Sequence, residues 1–334
     1  MNVLVSNWYD FKMLRTNVRG TTLGNARGVL SLCLYLFFSP VAKGQDLVEL
    51  TPEDIRESII AFVNLYSTPG LDGATFRVND DNRESDLIRG SLGYSGDLTI
   101  KGSVFDAYWG IALAYGSLEG EADVLSQRGR PLQLDVDRDI LSLRGSGGLS
   151  LPITRHFKLR PFLSLSASHI DTNTSVRELG GDITLPEIWV DSEVDALTTT
   201  ATLFADYDRW YEQQRLELRG QYSLAYTDTF NASNDNLDTW SWNETLFLRA
   251  RYSAPTNRFT RNKPWRWNSY VSHTRFLGLE QRALGFNSFS EVGVGLDFEL
   301  NIRPLDWFGL RFIGIKAGYI FGDGVDGLSV GLNF

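Results

Sequence analysis

Hydrophobic and polar residues alternate with a period of two along most of the chain. Segments 215–226 and 288–300 show this clearly, and so does the end of the sequence. Because successive side chains of a strand point to opposite faces, the pattern predicts strands with one apolar side. The apolar face of the last segment consists of Leu328, Val330, Leu332 and Phe334.

About twelve such segments follow one another, and most reach the roughly 9–11 residues that a tilted membrane strand needs. Longer polar stretches at 118–131, 171–192 and 229–238 predict loops, and 256–263 predicts a longer turn. The predicted strands are 73–79, 86–100, 104–117, 134–152, 157–170, 193–207, 213–228, 239–253, 265–276, 287–300, 309–321 and 327–334.

One segment near the start of this region has helical spacing instead. Thr51 is a suitable N-cap, Pro52 suits the first helical position, and Glu53 adds an acid to the first turn. We therefore predict one amphipathic helix over 52–66. Its apolar face consists of Ile55, Ile59, Phe62 and Val63.

The first 44 residues resemble a secretory signal peptide. Basic residues precede an apolar run over 28–38, and small residues follow before Gly44. The start, at Met1 or Met13, stays open. We therefore predict a signal peptide over 1–44, an N-terminal segment with the helix over 45–70, and a barrel over 71–334.

Composition narrows the class of protein. The whole chain has a net charge of −9, and removing residues 1–44 leaves 27 basic and 40 acidic side chains, a net charge of −13. Such acidity argues against nucleic acid as a partner. The single cysteine, Cys33, lies within the predicted signal. No later run approaches the ~20 apolar residues of a membrane helix, so a membrane-spanning form must be a closed barrel.

Two all-β classes alternate in this way, a soluble sandwich and a membrane barrel. Aromatic residues near the strand ends favour the barrel, because they are typical of the membrane interface. The predicted fold is an all-β transmembrane, antiparallel outer-membrane barrel of about twelve strands, with one N-terminal helix in or at the lumen. The aromatic residues are Tyr226, Trp240, Trp242, Trp265, Trp267, Trp307, Tyr319 and Phe321.

The polar faces place charged and small residues inside the predicted barrel. The charges predict ion pairs across the lumen wall, or alternatively the ion selectivity of a pore. Small inward residues, including Gly110, Gly148, Gly293 and Gly295, leave room for a helix, or relieve strand curvature instead. The inward charges include Arg144, Arg160, Arg215, Arg219, Arg249, Arg251, Glu217, Glu291, Asp297 and Glu299.

One helix, about twelve strands and the ending Val330 to Phe334 together resemble the translocator domains of autotransporters over residues 50–334. The resemblance implies a helix inside the barrel and assembly by the barrel-assembly machinery with periplasmic chaperones. It also implies outer-membrane lipids and lipopolysaccharide as neighbours, in a Gram-negative bacterium. Only residues 45–50 lie between the predicted cleavage site and the helix cap, so we expect a solitary, passenger-free barrel.

Catalytic and metal chemistry are not expected. His156, His169 and His273 are the candidate bases. His169 has Ser166 and Ser168 nearby, whereas Ser272, next to His273, points to the opposite face. We predict no enzyme, no cofactor and no metal, with a diffusion pore as the alternative and a hydrolase using His169 as a third hypothesis. The acidic run Asp135, Asp137 and Asp139 is interpreted as pairing with lumen arginine residues, or as repulsion of outer-leaflet lipopolysaccharide, rather than as a cation site.

Overall fold

The computed structural model describes residues 52–67, 74–80, 83–125, 131–178, 192–234, 237–260, 263–277, 286–299, 312–322 and 324–333. The predicted signal peptide and Phe334 lie outside them. The described residues form one helix, α1 (Pro52–Ser67), and twelve strands. The strands are β1 (Ala74–Asp80), β2 (Arg83–Leu98), β3 (Asp106–Leu125), β4 (Pro131–Pro152), β5 (Phe157–Glu178), β6 (Ser192–Tyr211), β7 (Gln214–Phe230), β8 (Trp240–Thr260), β9 (Lys263–Leu277), β10 (Ser288–Glu299), β11 (Phe312–Gly322) and β12 (Val325–Asn333).

The strands form one closed antiparallel barrel in which each strand pairs with its neighbours in the chain. β1 pairs with β12 and closes the sheet, from Ala74 opposite Ser329 to Val78 opposite Val325. This closing seam pairs the two strands that would otherwise form open sheet edges. The predicted twelve-stranded antiparallel barrel is confirmed.

The outer face of the barrel is apolar, whereas much of its inner face is polar. On the outer face, Leu163, Val294 and Leu328 are 62%, 64% and 65% exposed, whereas the inward Thr198 and Ser166 are buried. This reverses the arrangement of a soluble domain and is expected of a wall with hydrocarbon outside. Among the described residues, no helix combines the length and apolar content needed to cross a bilayer.

Aromatic pairs on the outer face lie at two levels. We call the rim where β1 ends and β2 begins the upper rim, and the rim where β2 ends and β3 begins the lower rim. Near the upper rim the ring centroids of Tyr226 and Trp242 are 5.0 Å apart. Near the lower rim those of Tyr94 and Trp109 are 5.4 Å apart. Two levels of aromatic residues are what two membrane interfaces require. Trp307 lies outside the described residues.

Three strands extend further towards the upper rim than predicted. The segments 118–131 and 171–192 are partly strand, because β3, β4 and β5 continue into them. Polar residues continue the pairing there, with Glu119 opposite Asp137. The predicted turn over 256–263 is also wrong, because β8 and β9 run through most of it. Backbone pairing does not need an apolar side chain, so the apolar pattern underestimates strand length.

Inward glycines mostly serve packing within the barrel wall. A Cβ added at Gly293 would lie 2.4 Å from Cζ of Tyr270, and one added at Gly148 would lie 2.4 Å from Cβ of Phe162. These glycines therefore make room for a side chain of the neighbouring strand. The interpretation that they make room for a helix is wrong for these two positions.

Candidate functional site

The helix α1 lies inside the upper part of the barrel, where it packs mainly against β3 to β8. Its side chains Ile59, Phe62 and Val63 are almost completely buried. They join inward apolar side chains of the strands in one core cluster, so this level of the lumen is filled by apolar contact rather than by water. The strand residues of the cluster include Val78, Leu87, Ile140, Ile170, Val194, Ile320 and Val325.

The two halves of α1 differ in polarity. Glu53 is exposed and Arg56 and Glu57 are half-buried, whereas every residue from 59 to 66 is buried. A helix that is buried all round must be enclosed on all sides. The sequence predicted burial along one face, and the barrel instead surrounds the whole second half.

Two hydrogen bonds hold the end of α1. Arg89 Nη1 donates to the backbone carbonyl of Leu65 over 2.8 Å, and the Tyr66 hydroxyl donates to the carbonyl of Ile88 over 2.9 Å. Carbonyls in the last turn of a helix lack partners within the helix, and a cation there also complements the helix dipole. Burial raises the pKa of Tyr66, so its hydroxyl stays protonated and able to donate.

The same tyrosine occupies space that a glycine leaves open on β3. A Cβ added at Gly116 would lie 1.9 Å from Cε1 of Tyr66. The ring of Tyr66 also packs edge-on against Phe62, with centroids 4.8 Å apart. The position of the end of α1 therefore depends on the absence of a side chain at residue 116.

Polar contacts fix the middle of α1. Arg138 Nη1 donates to the Ser58 hydroxyl over 3.1 Å, and its guanidinium lies 5.6 Å from the ring centroid of Phe62. The Thr227 hydroxyl donates to Asn64 Oδ1 over 2.8 Å. Arg138 and Thr227 belong to different strands, β4 and β7. Directional bonds to two strands specify how the helix is rotated within the lumen.

A cavity of about 320 Å³ separates the first turns of α1 from β8. Its lining is largely polar, so water is the expected occupant at the level of Glu53 and Glu57. The apolar contact begins one turn further along, near Ile60. The lining residues are Glu53, Arg56, Glu57, Ile60, Ala61, Thr239, Trp240, Ser241 and Asn243.

Below α1 the lumen wall is lined by paired charges. Asp97 accepts from Arg160 over 3.2 Å, and Glu217 accepts from Arg251 over 3.1 Å. The side chain of Arg219 is 39% exposed, so water reaches this level. The ion pairs expected from the inward charges are present. Other members of this lower-lumen network are Lys158, Asp206, Asp208, Arg215 and Asp297.

The structure places the residues of the predicted assembly signature on the outer face of β12. Leu328, Val330 and Leu332 are 65%, 71% and 51% exposed. Phe334 lies outside the described residues. The side chain of Ile55, on α1, also lies outside the described residues. The other residues of the predicted apolar face of the helix, Ile59, Phe62 and Val63, lie in the core cluster. The assembly role of the β12 residues stays a prediction.

His169 does not meet the serines considered with it. His169 is exposed on the outer face, whereas Ser166 and Ser168 are buried on the inner face. Its Nδ1 lies 2.7 Å from Asp195 Oδ1 and its Nε2 lies 3.5 Å from Asp171 Oδ1. Both ring nitrogens therefore face carboxylates, and His169, Ser166 and Ser168 do not form a Ser–His–Asp arrangement.

The acidic run on β4 lies on one strand face, with Asp137 and Asp139 exposed. Tyr115 on β3 donates to Asp139 over 2.9 Å. Within the described ranges, no three side chains of metal-binding type are arranged to hold an ion.

The residues that hold α1 were not among those predicted from the sequence. They include Tyr66, Arg89, Gly116, Arg138 and Thr227. The inward position of Arg138 could have been predicted. Successive residues of a strand point to opposite faces, so Arg138 lies on the face opposite to Asp137 and Asp139. An inward arginine at the level of a predicted lumen helix is a candidate contact for that helix. The pairing of Gly116 with Tyr66 could not have been predicted in this way, since it depends on how deep α1 sits.

Comparison with known proteins identifies the fold. No protein-family model matches the sequence, and no curated protein matches it. The β-domain of the Bordetella autotransporter BrkA is 13% identical, with a TM-score of 0.51 over 78% of this chain and 94% of that one. The translocator domain of the autotransporter NalP from Neisseria meningitidis is 10% identical, with a TM-score of 0.53 over 83% and 96%. The chain thus has the fold of an autotransporter translocator domain, a twelve-stranded barrel accompanied by one helix.

Proposed function

We propose that the chain is an integral outer-membrane barrel of the autotransporter type whose lumen α1 closes to solutes. The observation that carries the proposal is the apolar core between α1 and the upper lumen. Ions cross apolar contacts poorly because they lose their hydration there. The continuous burial of residues 59–66 extends this barrier over more than two turns of helix.

The outer face supports a position in the outer membrane. Its exposed apolar residues and its two levels of aromatic residues are typical of a barrel wall that faces lipid between two membrane interfaces. In this proposal lipids and lipopolysaccharide contact this belt of apolar residues, the upper rim is extracellular, and the lower rim faces the periplasm. The signal peptide over 1–44 stays a prediction, with cleavage near Gly44.

The role we propose is structural or translocator-like rather than enzymatic. The surroundings of His169 give no support to a hydrolase, because Asp171 and Asp195 flank its ring. The absence of a passenger stays a prediction from the sequence. Barrel-assembly machinery and periplasmic chaperones are the proposed partners during insertion, with the outward residues of β12 as the segment that is recognised.

Planar-bilayer conductance tests the closed lumen. We expect the intact protein to give no steady current, and deletion of residues 52–67 to give large, stable steps. The substitution Glu53→Gln, on the exposed start of α1, is the control and should stay closed. A steady current from the intact protein, equal to that of the deletion variant, would show a diffusion pore instead.

A further inference from the structure

Arg249 projects from β8 into the lower lumen and faces other cations. It lies directly opposite Arg219 on β7, and Arg251 lies two residues further along the same face of β8. Its guanidinium carbon is 4.6 Å from the ring centroid of Tyr270. Like charges at opposed positions of a sheet repel each other, so negative charge nearby is needed to stabilise the two arginines.

The carboxylates of this region already have other partners. Glu217 accepts from Arg219 and Arg251, at 3.3 Å and 3.1 Å. Glu291 adds one attractive charge near Arg249, while it accepts hydrogen bonds from Tyr270 over 2.6 Å and from Ser272 over 3.3 Å. Within the described part of the chain, neither Nε nor Nη2 of Arg249 has a hydrogen-bond partner, although both are shielded from solvent. Shielding a charged guanidinium from water destabilises the folded protein unless an anion pairs with it.

We propose that the lower lumen binds a small oxyanion, of the carboxylate or phosphate class, between Arg249 and Arg219. A guanidinium offers paired N–H donors that match two oxygens of such a group. The ammonium of Lys316, 5.4 Å from the ring centroid of Tyr270, adds positive charge beside the site. Because the Arg219 side chain is partly exposed, an anion entering at the lower rim reaches the pair through water.

The site lies below α1, and its test measures binding rather than current. It therefore goes beyond the proposed closure of the lumen, and either proposal can fail while the other stands. The ligand class follows from the donors, since arginine supplies hydrogen-bond donors and no acceptor.

The test uses the full chain folded in an uncharged detergent and titrated calorimetrically with inorganic phosphate, and separately with acetate. We expect saturable binding of at least one of them, weakened at least tenfold by Arg249→Gln and less by Arg249→Lys. Arg215→Gln is the matched control, because Arg215 pairs with Asp208 through bonds of 2.9 Å and 2.7 Å. That variant should bind within twofold of the intact protein.

Three results would overturn the proposal. They are a lack of saturable binding of both anions, unchanged binding by folded Arg249→Gln, and equal weakening by Arg215→Gln. Folding of each variant is checked by its heat-modifiable migration in electrophoresis. If Arg249→Gln does not fold, Arg219→Gln carries the same expected tenfold loss, and unchanged binding by that variant would overturn the proposal equally.

Discussion

Gly116 of β3 and Tyr66 of α1 form a contact in which the shape of the barrel wall fits the end of the helix. Gly116 removes a side chain from the wall of β3, and Tyr66 fills the space and donates to the carbonyl of Ile88. The pair therefore combines steric exclusion with a directional bond. Such a pair specifies the depth of α1 more narrowly than apolar contact does.

The substitution Gly116→Ala should destabilise the folded protein by about 1–3 kcal/mol, the usual cost of overpacking. The added Cβ must displace the ring of Tyr66, which also breaks the bond to Ile88. Unfolding in urea, followed by tryptophan fluorescence in micelles, measures the loss. Gly145→Ala is the matched control, since a Cβ there meets nothing within 4 Å.

A second variant links this loss to the helix. Combining Gly116→Ala with Tyr66→Leu should cost less than the sum of the two single changes, because they share one contact. Strictly additive losses would contradict the assignment of Gly116 to the end of α1.

At this scale the sequence predicts the face of a residue but not its partner. Parity placed Arg219 and Arg249 inward, and both are inward. Their opposition across β7 and β8 depends on a register that turn lengths set, which apolar spacing does not report. His169 shows the same limit, since its contact with Asp195 joins two strands.

At the scale of elements, α1 fills the upper lumen with two different halves, one polar and bordering a cavity, the other apolar and buried. The polar first turns border the cavity beside β8, and the second half provides the apolar contacts. A charge in the second half therefore has no access to water.

The substitution Val63→Asp should destabilise the protein by about 3–5 kcal/mol, because it buries a carboxylate without a partner. Val63 is completely buried in the core cluster. We also expect intermittent currents in planar bilayers as α1 leaves its position. Glu57→Gln, at the polar end, is the control, and equal currents from both variants would contradict the proposed closure of the lumen by α1.

The strands predict a dependence on depth in the bilayer. Val294→Arg, on the outer face of β10, should cost about 2–4 kcal/mol, because the side chain meets hydrocarbon. Val104→Arg, in the turn between β2 and β3, should cost at most about 1 kcal/mol. Refolding into lipid vesicles at graded urea concentrations measures both. Equal costs would place β10 outside the hydrocarbon region.

Element type was the part that the sequence predicted best. Period-two spacing identified β7 and β10 because lipid and lumen impose opposite polarity on alternate residues. Element ends were predicted less well above the apolar belt, where water contacts both faces and Glu119 pairs with Asp137 without any apolar signal. The helix start was predictable from Thr51 and Pro52, because capping is local.

At the scale of the whole molecule, charge is separated between the inner wall and the rest of the chain. The chain is acidic overall, with a net charge of −9. Among the described residues, however, the wall of the lower lumen has more cationic than acidic side chains. The cations are Arg144, Lys158, Arg160, Arg215, Arg219, Arg249, Arg251, Arg266 and Lys316, and the acids are Asp97, Asp106, Asp206, Asp208, Glu217, Glu291 and Asp297.

The pore opened by deleting residues 52–67 should therefore prefer anions, since fixed charge on a pore wall attracts counter-ions. The reversal potential in a potassium chloride gradient measures this preference. Adding Arg249→Gln and Lys316→Gln to the deletion should move the reversal potential towards zero. A preference for cations in the deletion variant would contradict the assigned inner wall.

The closing seam also has a kinetic consequence. Ala74 and Ser329 stand opposite each other although almost the whole barrel sequence separates them. Contacts of such high sequence separation form slowly, because the entropy of a very large loop is lost before any ladder bond is gained. The β1–β12 pairing should thus form last. Until it forms, the sheet is not closed and the edges of β1 and β12 are unpaired. Spontaneous insertion should accordingly be slow, and a catalyst that brings β1 and β12 together would accelerate it.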